Sequence, residues 1–158
     1  MTKILVTGGA GFLGSNLVKE LIKKGNEVVI FDNGFRQEFN NIQEIKNSIS
    51  LIKGDISKKE DWDKIPKDVD FAYHLAAING TKFFYEIPQK VLKVNIQGTF
   101  NFVEWLRGSQ VKRIFFTSSS EAYGFPKIFP TPETEELSIP DPTNPRFSYS
   151  SSKILGEI

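Results

Sequence analysis

Five short, mostly apolar runs alternate with longer amphipathic stretches along this chain, and few folds satisfy that alternation. The runs are Lys3 to Thr7, Glu27 to Phe31, Ile49 to Lys53, Asp70 to Leu75 and Arg113 to Ser118. Strands that are apolar throughout, rather than on alternate residues, are expected where a parallel sheet is covered on both faces. Helices separating successive strands supply the crossovers that parallel pairing requires. Right-handed crossovers leave few orders for five such strands, and the expected one is 3-2-1-4-5 in a doubly wound α/β sheet.

The amphipathic stretches carry their own boundaries. The first helix is expected from Gly11 to Lys24, with Leu13, Leu17, Val18, Leu21 and Ile22 on one side and Gly25 ending it in a left-handed cap. A longer helix starts at Pro88, which suits a first helical turn, and runs to Arg107 before Gly108. Its apolar residues Val91, Leu92, Ile96, Phe100, Val103 and Leu106 span a face wide enough for two contacts, one with the sheet and one with a partner. Six of the eight prolines fall between Phe125 and Pro145, so that stretch is read as an irregular loop. Loops of such length are uncommon unless they have a task. A last helix is expected from Phe147 or Ser148 to the end at Ile158.

Composition narrows the function classes. Twenty Lys and Arg oppose nineteen Asp and Glu, scattered rather than clustered, so neither nucleic acid nor an anionic membrane is an expected partner. The absence of cysteine excludes disulfides and thiolate metal sites, and the single histidine, His74, gives little basis for another transition-metal site. With no leader pattern and no long apolar stretch, the expectation is a cytoplasmic protein.

The turn after the first strand reads TGGAGFLG, Thr7 to Gly14. Gly8, Gly11 and Gly14 stand where missing side chains permit a tight turn, close approach to a pyrophosphate and tight helix-on-strand packing. The following helix start offers backbone N–H groups and a positive dipole end to phosphates. Glycine turns also arise for purely conformational reasons, but Asp32 follows the last glycine by 18 residues, the spacing of an acid that bonds the adenosine ribose hydroxyls. A carboxylate there repels the extra phosphate of NADP, so NAD is the expected cofactor in a Rossmann-type fold. Asp55, after the third strand, is expected either to cap the next helix or to accept a bond from the adenine amino group.

At the other end, Tyr149 and Lys153 are four residues apart and share one helix face. The lysine charge, together with an oxidised nicotinamide, favours the tyrosinate and is expected to lower the pKa of Tyr149 toward that of a working general base. Taken alone, the pair also fits an ordinary surface Tyr and Lys. Thr117 to Gly124, TSSSEAYG, leaves the fifth strand at the carboxyl edge of the sheet, the edge on which ligands of open parallel sheets lie.

With these residues in place the chain resembles the extended short-chain dehydrogenase/reductases that modify nucleotide sugars. The likeness runs through TGGAGFLG, Asp32 and Asn33, GDI at Gly54 to Ile56, HLAA at His74 to Ala77, NIQGT at Asn95 to Thr99, SSSEAYG, and YSSSK followed by Glu157. It implies that Tyr149 is the catalytic base, that Ser119 bonds the reacting sugar oxygen, and that Lys153 binds the nicotinamide ribose and tunes the tyrosine. It implies a cofactor groove of Gly8, Gly11, Phe12, Leu13, Gly14, Asp32, Asn33, Asp55, Ile56, Leu75, Ala76, Ala77, Asn95 and Ser118, with Tyr149 and Lys153 at its reactive end. Asn79 to Phe84 and the proline-rich loop are expected to touch the substrate. Members oxidise a sugar at C4 with bound NAD and then diverge into epimerisation, 4,6-dehydration or decarboxylation.

Glu121 bears on that divergence. Similar 4,6-dehydratases use a glutamate at this place to remove the C5 proton, and similar UDP-glucuronate decarboxylases have a Ser-Glu pair matching Ser120 and Glu121. Dehydratases of the dTDP-glucose type have an aspartate where this chain has Ser120. Family members run to about twice this length, so residues 1–158 are expected to form the NAD-binding domain, ending within the catalytic helix, without the C-terminal substrate domain. The resemblance also implies a homodimer through the helices at 88–107 and 147–158. The expected function is that of an epimerase or 4,6-dehydratase, and the alternatives are a nucleotide-sugar decarboxylase of the same family or a non-catalytic NAD-binding module.

Overall fold

The computed structural model describes residues 1–36 and 38–158. They divide into two compact units, residues 1–76 with 97–117, and residues 77–96 with 118–158.

The first unit is built on a parallel five-stranded sheet in the order β3-β2-β1-β4-β5. Its strands are β1 (Lys3–Thr7), β2 (Glu27–Asp32), β3 (Ser50–Lys53), β4 (Phe71–His74) and β5 (Arg113–Phe116). The expected order is the observed one, and the boundaries differ by a residue or two. In the centre of the sheet Leu5 pairs with Val29 on one side and Ala72 on the other. Central parallel strands have no wet face, and Leu5, Val6, Ile30 and Phe31 are wholly buried. β5 lies at one edge of the sheet, and its Ile114 and Phe115 are about half exposed.

α1 (Phe12–Lys23) packs on the sheet through Val18 and Leu21, within a cluster that includes Ile4, Val6, Val28 and Ile30. Gly25, with φ +78°, ends it in the expected left-handed conformation. Leu13 is a correction: it was expected on the buried side and is 68% exposed, because the close approach of α1 to the turn is made by Gly14 and Ser15 instead. A 3-10 segment (Asn40–Ser48) and the one-turn α2 (Lys59–Trp62) complete the first unit's connections. His74, at the end of β4, stacks on Phe102 at 4.5 Å and shares a 2.9 Å hydrogen bond through Nδ1 with Thr7 Oγ1.

The second unit holds α3 (Thr81–Glu86), the first residues of α4 (Pro88–Leu106), 3-10 turns at Ser120–Tyr123 and Pro145–Phe147, and α5 (Ser148–Glu157). Its core joins Ile78, Phe84, Val91 and Tyr149. Between Gly124 and Asn144 there is neither helix nor strand, as the prolines require. Among the described residues no helix is long and apolar enough to cross a membrane.

Candidate active site

In the first unit, the turn between β1 and α1 is fixed by backbone contacts that only glycine allows. A Cβ on Gly14 would lie 2.2 Å from the Gly8 carbonyl oxygen, and one on Gly8, where φ is +71°, would lie 2.7 Å from Ala76 N. A Cβ on Gly9 would meet Ile30 at 2.8 Å, a demand the spacing argument did not single out. Ala76 is tied in turn to β1, its N–H donating to Thr7 Oγ1 at 3.2 Å.

The turn ends at Gly11, and no side chain caps α1 there. First-turn amides of an uncapped helix are groups that an anion can take. Phe12 stands 76% exposed beside them. Asp32, at the end of β2, accepts from Ala10 N at 3.0 Å through Oδ2 and from Gly34 N at 2.8 Å through Oδ1. The carboxylate thus ties the glycine turn to its own strand end, and each oxygen keeps further acceptor capacity toward a hydroxyl. Asn41 Nδ2 adds a second tie by donating to Ala10 O at 3.0 Å.

Asn33 Nδ2 donates to Asp55 Oδ2 at 3.3 Å. Asp55 Oδ1 accepts from both the backbone N–H and the hydroxyl of Ser57. The helix-cap alternative for Asp55 is therefore corrected: α2 starts after Lys58 without a side-chain cap, and Asp55 closes a local turn instead. The Ile56 side chain is buried against Gly98, and its carbonyl accepts from Trp62 Nε1 and Asn101 Nδ2, both at 2.8 Å. Leu75 is half-buried against the core cluster of β1 and β2. The structure thus gathers Gly8, Gly11, Phe12, Leu13, Gly14, Asp32, Asn33, Asp55, Ile56, Leu75 and Ala76 within the first unit.

Ala77, Asn95, Ser118, Ser119, Glu121, Tyr149 and Lys153 belong to the second unit. Asn95, buried on α4, accepts from Ile78 N at 2.8 Å and donates to Ile78 O at 3.2 Å and Ser152 Oγ at 3.1 Å, joining the segment at Ala77 to α5. Ser118 Oγ donates to Glu157. Ser119 caps the turn that follows it, its Oγ accepting from Glu121 N at 3.2 Å.

Tyr149 and Lys153 are both buried, and Lys153 Nζ stands 5.6 Å from the centre of the Tyr149 ring. Phe84 of α3 stacks on the same ring at 5.0 Å. Burial raises the Tyr149 pKa above its ordinary value; a hydrogen bond with Ser119 opposes the rise, and the negative charge of Glu121 adds to it. The expected lowering of this phenol draws on the charge of an oxidised nicotinamide as well as on Lys153, and burial acts against it. Desolvation of the phenolate dominates, and burial also lowers the Lys153 pKa to about 8.

Arg146 was not anticipated. Its Nη2 donates to Glu121 Oε1 at 3.0 Å and to Oε2 at 3.4 Å. The two are 25 positions apart in sequence, beyond the reach of any local spacing rule.

A sequence model described as the NAD dependent epimerase/dehydratase family matches residues 4–158. The chain is 37% identical over 156 residues to a putative UDP-glucose 4-epimerase of Methanocaldococcus jannaschii, covering 98% of this chain and 48% of that protein. It is 34% identical over 156 residues to a UDP-N-acetyl-alpha-D-glucosaminuronate decarboxylase of Bacillus cytotoxicus, with the same two shares. Among solved structures, the UDP-glucose 4-epimerase of Bifidobacterium longum, in complex with NAD+ and UDP, is similar with a TM-score of 0.85. It is 27% identical, over 99% of this chain and 47% of that one. The chain thus spans about half the length of the relatives it matches.

Proposed function

The chain belongs to the NAD-dependent epimerase/dehydratase family, and from that premise we propose that it contributes the cofactor-binding and proton-transfer residues for modifying a nucleotide sugar by transient oxidation at C4. The observation that carries this reading is the grouping of Ser119, Tyr149 and Lys153, a phenol with one hydroxyl partner and one buried cation.

The residues of the first unit fit a dinucleotide. The uncapped α1 start suits a pyrophosphate. Gly8, Gly11 and Gly14 leave the turn without side chains at three positions, and Asp32 is suited to ribose hydroxyls. NAD, when bound, supplies the hydride acceptor for the sugar carbon. Tyr149 takes the proton from the sugar hydroxyl as that carbon is oxidised, and Ser119 bonds the same oxygen. Lys153 stabilises the tyrosinate and orients the nicotinamide ribose. Asn95 braces α5 so that these groups keep their places.

Decarboxylation is the second reading, favoured by Ser120 with Glu121 and by the decarboxylase relative. A UDP-sugar is the proposed substrate class, because the relatives named above act on or bind UDP compounds. Exposed Phe100 and Val103 on α4 and Leu155 on α5 support a homodimer through these helices. Tyr149→Phe is expected to slow turnover of a UDP-sugar by on the order of 100- to 10,000-fold with NAD binding retained, read by product chromatography and calorimetry. Near-normal turnover in that variant overturns the assignment.

A further inference from the structure

Arg146 is a charged group of the second unit that the proton-transfer chemistry does not use. Arg146 lies on the 3-10 turn Pro145–Phe147, three residues before Tyr149. Its backbone is set by the N–H donating to Asn144 Oδ1 at 3.0 Å, and Phe147 beside it is buried with Phe125 at its edge, 6.1 Å away. Its guanidinium reaches both oxygens of Glu121, and both side chains of the pair are about two thirds shielded from solvent. Glu121 is in turn fixed from its own backbone, whose N–H donates to Ser119 Oγ. A charge-assisted hydrogen bond of this kind from Nη2 is stronger than a neutral one.

We propose that Arg146 is a positioning residue for the base: by pairing with Glu121 it neutralises and anchors a carboxylate whose own backbone is tied to Ser119, the hydroxyl beside Tyr149, and so eases ionisation of the phenol. This rests on the reading of Tyr149 as the base. Glu121 disfavours the phenolate by like charge, and an opposing guanidinium offsets that field. Ser119 also bears on the phenol by a hydrogen bond, and Lys153 on the same helix places its Nζ 5.6 Å from the ring centre. α3 meets the ring with Phe84, and the Lys82 and Glu86 side chains of that helix are largely exposed to solvent. Ile78 and Val91 complete the surroundings with apolar surface.

The test uses the 158-residue chain alone, with 3,5-difluorotyrosine in place of its four tyrosines so that the phenols ionise near neutral pH, followed by fluorine NMR. Tyr149→Phe identifies the resonance. Arg146→Gln is expected to move the Tyr149 midpoint to higher pH, Glu121→Gln to lower pH, and Arg146→Lys to a value between wild type and Arg146→Gln. In the Glu121→Gln background the rise caused by Arg146→Gln is expected to be smaller than in wild type. An unmoved midpoint in Arg146→Gln, or an equal rise in both backgrounds, overturns the proposal. If circular dichroism shows that Arg146→Gln does not fold, Glu121→Gln and Arg146→Lys decide it by the same directions, and no movement in them overturns it. The titration needs neither cofactor nor sugar, so its failure is distinct from a failure of the proposed activity.

Discussion

Between Gly8 and Gly14 the chain is held by backbone touching backbone, whereas Tyr149 is held by side chains drawn from α3, α4 and the turn after β5. The first arrangement tolerates one residue type at each critical position. The second tolerates many types, provided that their charges and shapes balance. A glycine turn is therefore broken by adding one methyl group, while the tyrosine surroundings are retuned by adding or removing a charge.

Gly14→Ala is the severest way to break this contrast. Its Cβ would sit 2.2 Å from a carbonyl oxygen that cannot move without dragging the turn, so a loss of about 3 kcal/mol or more in a urea melt is expected. A loss below about 1 kcal/mol would show that the turn is softer than its contacts imply.

Lys153→Met tests the electrostatic side. Burial lowers the Lys153 pKa from 10.5 to about 8. Below pH 8 both folded and unfolded chains carry the proton, and the full desolvation penalty opposes folding. Between pH 8 and 10.5 the folded chain loses the proton first, so the penalty fades and this group makes stability rise with pH. At pH 7 the variant is expected to be more stable than wild type by up to about 3 kcal/mol, an advantage that disappears toward pH 10.5. Paired urea melts across that range read it, and a pH-independent difference contradicts it.

Asn95→Ala removes the partner of both Ile78 backbone groups and of Ser152, leaving buried polar atoms unsatisfied. A loss of about 2 kcal/mol is expected by the same melts. Gly25→Ala sharpens the comparison from the mild end. Its φ is +78° but nothing lies within 4 Å of an added Cβ, so only the left-handed backbone cost of about 1 kcal/mol is expected.

The sheet was legible because its signals are local. Apolar runs mark the strands, Gly25 marks a helix end, and few crossovers fit five parallel strands, so the order 3-2-1-4-5 follows. The glycine turn was legible for the same reason, although Gly9 escaped because its neighbour, Ile30, is 21 residues away. Leu13 was misplaced because a helical wheel cannot say which side of a helix meets a glycine turn. Asp55 was undecided between two roles, and a nearby serine captured it.

The tyrosine surroundings were only half legible. Four-residue spacing put Tyr149 and Lys153 on one face, but the sign of the phenol's pKa shift depends on burial and on Glu121, neither of which spacing reports. Arg146 was invisible for the same reason, since its partner is set by the fold rather than by sequence proximity.

The central claim is that the turn from Gly8 to Gly14 with Asp32 holds an NAD molecule. Calorimetric titration of the 158-residue chain with NAD and, separately, NADP tests it most directly. The account predicts saturable one-site binding of NAD, weaker binding of NADP, and loss of that preference in Asp32→Ala. No measurable NAD binding by a folded chain would contradict it.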